Sequence, residues 1–105
     1  MSRNDQSRLN DIRDACATIA ELAARGRETF DSDPAVRLAM ERLLEIIGEA
    51  ANVLDPSTAA RYERVPWRDI TRLRILLAHH YHRVDPSQIW AIATKEIPAL
   101  HAELG

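Results

Sequence analysis

Residues 72–82 contain the side chains best suited to chemistry in this 105-residue chain. Two arginines, a tyrosine and three of the four histidines lie there together: Arg72, Arg74, His79, His80, Tyr81 and His82. Histidine accepts and releases a proton near neutral pH, and the planar guanidinium of arginine suits a phosphate group. We therefore treat this stretch as the candidate site and ask which elements position it.

The residue types alone leave three kinds of chemistry open. A histidine could act as general acid or base in RNA cleavage while an arginine holds the phosphate. His79 and His82, three residues apart, could bind a metal ion, but a site needs three or more ligands and no other Cys or His cluster supplies them. The third possibility is no chemistry at all, with one histidine in a core and the others in solvent.

Helical spacing separates the candidate groups. On an ideal helix, Arg74 lies on one flank of the apolar stripe, and Arg68, Arg72 and His79 lie on the other. Arg74 and His79 are then about 140° apart, so one regular helix does not aim both at one phosphate. Either the helix unwinds near His79 or two copies of it face each other. The second arrangement predicts a homodimer with the site at the interface.

Length and composition predict one soluble helical domain spanning residues 1–105. The chain is 46% hydrophobic and 29% charged, with only three glycines, and it can bury a single core. No apolar run is long enough to span a bilayer, and no secretory signal is visible. Cys16 lies in the apolar stripe of the first predicted helix, so we expect a buried thiol. As the single cysteine it cannot form an internal disulfide, which predicts a cytoplasmic protein.

Basic charge is concentrated around the candidate site. Residues 61–85 carry six arginines and three acidic residues, whereas the rest of the chain carries eight basic and thirteen acidic residues. Such a patch could attract a polyanion such as RNA, or it could be an ordinary solvated helix face.

Apolar periodicity and capping residues predict five helices. They cover residues 5–25, 33–54, 56–64, 67–80 and 86 onward. Asp33-Pro34 and Asp85-Pro86 are helix starts, because the carboxylate caps the helix and proline fits its first position. Pro98 should kink or close the last helix. Gly48, inside the second helix, costs roughly 1 kcal/mol against alanine and is expected where another backbone comes close.

Several blocks of this sequence resemble one known family. Arg74, His79 and Tyr81 match the Arg-x4-His-x-Tyr signature of HepT-like toxins, in the HEPN superfamily of all-helical ribonucleases. The blocks that resemble other family segments are residues 39–51 with Ile-Gly-Glu-Ala, Val65-Pro66-Trp67, residues 84–90, and residues 97–100. The resemblance therefore covers most of the chain.

The resemblance implies an all-α, HEPN-type antiparallel bundle of four to five helices that forms a homodimer. It implies a metal-independent endoribonuclease without a cofactor, in which Arg74 holds the phosphate and His79 is the general acid or base. The catalytic groups of both protomers would meet in a cleft. Arg68 and Arg72 are then candidate contacts to the RNA backbone.

The resemblance also implies a partner. Such toxins belong to type VII HEPN/MNT toxin–antitoxin systems, in which a nucleotidyltransferase of the MNT type is the antitoxin and transfers AMP units to the motif tyrosine. Here that residue is Tyr81. Added bulk and negative charge at this position would block the phosphate site.

One position departs from the family pattern. The residue after the motif arginine is commonly polar, and here it is Ile75. The absence of a polar side chain at this position favours an alternative function. In it the domain is a weak catalyst and serves mainly as the binding partner or substrate of a nucleotidyltransferase. His80 and His82 receive no role from the motif.

Overall fold

The computed structural model describes residues 2–78 and 85–105, and these residues form helices and no strand. The helices are α1 (Arg3–Ala23), α2 (Arg27–Ser32), α3 (Pro34–Asn52), α4 (Pro56–Ala59), α5 (Trp67–Ala78), α6 (Pro86–Ala91) and α7 (Ile97–Leu104). A 3₁₀ turn (Ala60–Tyr62) continues α4, and a π-helical turn (Ile92–Glu96) joins α6 to α7. Four long helical segments, α1, α3, α5 and α6–α7, confirm the predicted all-α bundle.

The predicted helix starts are correct. Asp33 accepts a hydrogen bond from the backbone N–H of Ala35 at 3.0 Å, and Asp85 accepts one from Ser87 at 2.9 Å. Each carboxylate satisfies a backbone donor that has no partner within the helix. Proline follows both caps, where its missing N–H costs nothing.

Helix α3 is the centre of the bundle. It packs against α1 on one side and α5 on the other, and α1 also packs against α7. Each long helix buries one apolar stripe. The side chains in this core include Leu9, Ile12, Cys16 and Ile19, then Met40, Leu44 and Ile47, then Ile70, Leu73 and Leu77, and finally Ile89, Ile97 and Leu100. Burying one such Leu, Ile or Met side chain contributes about 1.5–3 kcal/mol.

Cys16 lies within this core, as predicted. Its side chain is buried, and burial raises the pKa of the thiol to about 11. Since the thiolate is the reactive form, this cysteine is a packing residue at neutral pH.

The short helix α2 was not predicted. Gly26, with a φ of +95°, separates it from α1. Its Phe30 is fully buried and packs against Trp90 of α6, with ring centroids 5.2 Å apart and ring planes tilted by 51°. The guanidinium of Arg27 lies over both rings and donates to the Ser87 hydroxyl at 3.0 Å. Helix α2 therefore holds the start of α6 in place.

Pro98 does not close the last helix, which continues to Leu104. The π-helical turn directly precedes it, and the N–H of Ile97 donates to the carbonyl of Ile92, five residues back. A proline ring crowds the carbonyl four residues before it in a regular α-helix. The wider turn relieves this crowding, so helical structure passes through the proline.

Asp5 joins the start of α1 to the corner between α3 and α4. Its buried carboxylate accepts hydrogen bonds from the Thr58 hydroxyl at 2.6 Å, the Asp55 backbone N–H at 3.2 Å and Arg8 at 3.0 Å. The Thr58 hydrogen bond is the main cause that lowers the pKa of Asp5, and burial opposes it. The ionised form is therefore the one that the fold stabilises.

We expect Asp5→Asn to destabilise the protein in a pH-dependent way. Because the pKa is lowered on folding, the Asp5 carboxylate stabilises the wild type above its ordinary pKa of about 3.9, and this contribution is lost as the pH falls further. Urea unfolding from pH 6 to pH 2 measures it: the wild type and the variant should differ most near pH 6 and converge in acid. Asp14→Asn, at an exposed position of the same helix, is the control. A difference that does not change with pH would contradict this role.

Candidate functional site

Arg74 lies on α5 at its closest contact with α3. A Cβ atom built on Gly48 would lie 2.5 Å from the Arg74 backbone nitrogen and 3.2 Å from its Cα. Real Cβ atoms do not approach a backbone atom as closely as 2.5 Å. The prediction that Gly48 marks a close backbone approach is confirmed, and the residue it meets is the motif arginine.

The Arg74 side chain is partly exposed, but its Nε atom is buried and has no hydrogen-bond partner among residues 2–78 and 85–105. Within the described ranges, Arg74 also forms no ion pair with a carboxylate. A buried donor without a partner costs roughly 1–3 kcal/mol. A guanidinium kept in this state retains its capacity to donate to an oxyanion that arrives from outside.

The nearby carboxylates of α3 are paired with another cation. The Arg42 guanidinium contacts the Glu45 carboxylate closely and lies 3.8 Å from that of Glu49. Glu45 also lines a cavity of about 170 Å³ with Leu77, at the seam between α3 and α5. Arg42 thus offsets negative charge beside the helix that carries Arg74. Arg42 was not predicted as a site residue, although its spacing of three residues from Glu45 is typical of an ion pair on a helix.

Arg72 occupies the other side of α5, as the helical spacing predicts. It is exposed, and its 3.9 Å contact with Asp69 is an ion pair between two exposed side chains, which contributes little stability. Arg68 is exposed one turn earlier. The three arginines of this helix therefore do not converge within one protomer.

Arg72 lines a groove between α5 on one side and α6 with the π-helical turn on the other, with a volume of about 430 Å³. Its walls also include Asp69, Leu76, Gln88 and Glu96. The polar groups come from two helices that are far apart in the sequence, so the sequence alone did not bring them together.

His79, His80, Tyr81 and His82 lie outside the described residues, which stop at Ala78 and resume at Asp85. The proposed roles of His79 and Tyr81 therefore stay predictions. In the described part of the chain, no three His, Cys, Asp or Glu side chains are grouped so that they could hold a metal ion.

Ile75, the position that departs from the family pattern, is 51% exposed. It is an apolar side chain on the accessible surface of the site helix, not a core residue.

Among the residues described, no helix is long and apolar enough to cross a membrane.

Comparison with known proteins gives a consistent result. The family model described as ribonuclease HepT-like matches residues 12–105. A protein of Thermococcus cleftensis named "Probable ribonuclease HepT" is 34% identical over 101 residues, which cover 95% of this chain and 92% of that protein.

Two further relatives are each named "Putative RNase". One, from Caldanaerobacter subterraneus, is 39% identical over 77 residues, covering 73% of this chain and 69% of the relative. The other, from Methanocaldococcus jannaschii, is 29% identical over 106 residues, covering 99% of this chain and 97% of the relative. No solved structure matches the chain at a significant level.

We expect Arg74→Met to stabilise the protein, because it removes a buried donor without a partner and keeps an unbranched side chain of similar length. The free energy of unfolding in urea should rise by about 1 kcal/mol. Arg72→Met, at an exposed position of the same helix, should change it by less than about 0.5 kcal/mol. A clear loss of stability in Arg74→Met would mean that the arginine is a structural residue.

Proposed function

The chain belongs to the HepT-like ribonuclease family, and on that basis we propose that it is the toxin of a HEPN/MNT toxin–antitoxin system, a metal-independent endoribonuclease. The observation that carries the proposal is Arg74 of α5, whose buried Nε has no partner in the part of the chain that the structure describes and which precedes His79 by five residues in the sequence. An arginine that served only the fold would be paired with a carboxylate or carbonyl of its own chain.

In this proposal, Arg74 is the phosphate clamp. Its guanidinium donates to the non-bridging oxygens of the scissile phosphate and stabilises the charge that develops on them in the transition state. Arg42 supports this role by occupying Glu45 and Glu49, since a free carboxylate in the seam would compete with the phosphate for Arg74.

His79 supplies the proton transfers. As a base it takes the proton of the ribose 2′-hydroxyl, whose oxygen attacks the adjacent phosphorus. As an acid, the histidine of the other protomer gives a proton to the departing 5′-oxygen. The P–O5′ bond breaks as the P–O2′ bond forms, so the products are a cyclic phosphate and a 5′-hydroxyl, and no metal ion takes part.

A homodimer brings these groups together. One α5 presents Arg74 on the side of α3 and Arg72 on the side of α6 and the π-helical turn, and this separation supports a site completed by a second copy. The exposed Ile75 side chain suits an interface between two copies. Arg68 and Arg72, both exposed, then serve as contacts to the RNA backbone on either side of the cleft.

The antitoxin in this proposal is an MNT-type nucleotidyltransferase that modifies Tyr81. The phenolic oxygen attacks the α-phosphorus of ATP, pyrophosphate leaves, and the tyrosine keeps an AMP group. The new phosphate carries negative charge and would itself engage Arg74. The RNA phosphate is then excluded both by occupancy and by repulsion.

A second function has one observation in its favour. Ile75 places an exposed apolar side chain where the family commonly has a polar one. Under this alternative the domain has little nuclease activity and works mainly as the binding partner or substrate of the nucleotidyltransferase. Modification of Tyr81 is common to both functions, whereas toxicity belongs only to the first.

Expression of the wild type without its partner should arrest growth and cleave cellular RNA. Arg74→Ala and His79→Ala should each lower RNA cleavage by roughly 100-fold or more, because each removes a group that acts in the transition state. Arg25→Ala removes an exposed arginine at the end of α1 and should retain activity. If the wild type arrests growth no more than Arg74→Ala and His79→Ala, the nuclease function is disproved. The second function, as binding partner or substrate of the nucleotidyltransferase, then remains.

Co-expression with the nucleotidyltransferase should raise the intact mass of the protein by whole AMP units. Tyr81→Phe should remain unmodified and toxic in the presence of the partner, because it lacks the phenolic oxygen that accepts AMP. Tyr62→Phe, which removes the hydroxyl of the other tyrosine, is the matched control and should be modified normally. Addition of AMP to the Tyr81→Phe variant would show that another residue is the acceptor, contrary to the proposal.

A further inference from the structure

We infer that Gly48 is a positioning residue for Arg74: its missing side chain sets the distance between α3 and α5 at which the guanidinium is held. The inference rests on the proposed function of Arg74 as the phosphate clamp, and it assigns a role in that site to a residue on another helix.

The first observation is that the three atoms nearest to a Cβ at position 48, outside α3 itself, all belong to Arg74. The distances are 2.5 Å to its backbone nitrogen and 3.2 Å to both its Cα and its Cβ. These atoms are backbone or directly attached to it, so no side-chain rotation can make room. Any larger residue at position 48 must therefore move α5 at the motif arginine itself.

The second observation is the environment of the Arg74 side chain. Gly48 is buried, and so is the Nε of Arg74, which has no hydrogen-bond partner among the residues that the structure describes. No hydrogen bond or ion pair within the described residues fixes the guanidinium. Its position is therefore set by the packing of the two helices, and a shift of the α5 backbone is transmitted directly to the side chain.

The third observation is that Gly48 has no conformational reason to be glycine. It lies in the interior of α3 without the positive φ that would exclude other residues. Alanine is the better helix former at such a position. The close approach to Arg74 is the feature that alanine would disturb.

The test is a double-mutant cycle on RNA cleavage. Gly48→Ala should lower kcat roughly 10- to 100-fold with a smaller change in KM, because a displaced clamp mainly loses contacts made in the transition state. If Gly48 acts through Arg74, the double variant G48A/R74A should be no slower than R74A alone. Losses that multiply would show an independent effect and overturn the inference.

Ala93→Val is the control for a general loss of packing. Ala93 is buried in the π-helical turn that precedes α7, so its enlargement disturbs the core away from the α3–α5 seam. This variant should lower the midpoint of thermal unfolding and leave kcat nearly unchanged at temperatures where it is folded. If A93V and G48A lower kcat equally at equal stability, Gly48 has only a structural role.

A second readout does not depend on activity. In ¹⁵N-arginine spectra, the Nε–H of Arg74, identified by its absence in R74A, should exchange slowly with water in the wild type. The signal should shift and exchange faster in G48A but not in A93V. An unchanged Arg74 signal in G48A overturns the inference. If G48A does not fold, the measurement on the wild type alone tests the inference. Water exchange of the Arg74 Nε–H as fast as that of the exposed Arg25 would contradict a guanidinium held by packing.

The two proposals fail in different ways. Wild-type cleavage by R74A would disprove the function of the clamp, whatever G48A does. Impaired cleavage by R74A with normal cleavage by G48A would disprove only the role of Gly48.

Discussion

The close approach of α3 and α5 at Gly48 is the constraint on which the rest of the structure depends. It places the central helix of the bundle and the site helix in backbone contact at one residue, Arg74. The apolar stripes on either side then close the core, and the guanidinium stays at the seam with its Nε buried. If Arg74 is the phosphate clamp that we propose, the contact that packs α3 against α5 also positions the site.

Charge is arranged around this contact so that the motif arginine remains available. Arg42 pairs with Glu45 and Glu49 of α3, and Asp69 pairs with Arg72 of α5. Within the described residues, Arg74 is left without such a partner. A native fold tolerates a buried, unpaired donor when a ligand or a second chain satisfies it, as expected for a binding site.

Long periodic segments were predictable from the sequence, because their stripes, caps and prolines report local physics. Capping residues predicted the helix starts at Asp33 and Asp85, and the mid-helix glycine predicted the close approach at Gly48. Helical spacing predicted the burial of Cys16 and the separation of Arg72 from Arg74. Helix α2 is too short to show a period, and what defines it is the distant contact of Phe30 with Trp90. The groove at Arg72 and the pairing of Arg42 likewise depend on tertiary arrangement. His79 and Tyr81 owe their assignment to the family signature.

The π-helical turn before Pro98 fixes the phase of the last helix. Ile89, Ala93 and Ile97 are all buried and recur every four residues, a spacing longer than the 3.6 residues of a regular turn. The wider π-helical turn keeps these three side chains on one face of the helix. Loss of one residue from this turn would rotate everything beyond it by about 100° and turn Leu100 and Leu104 away from the core. The chain length of this segment is therefore as much a part of the fold as its composition, and homologous sequences should align here without gaps.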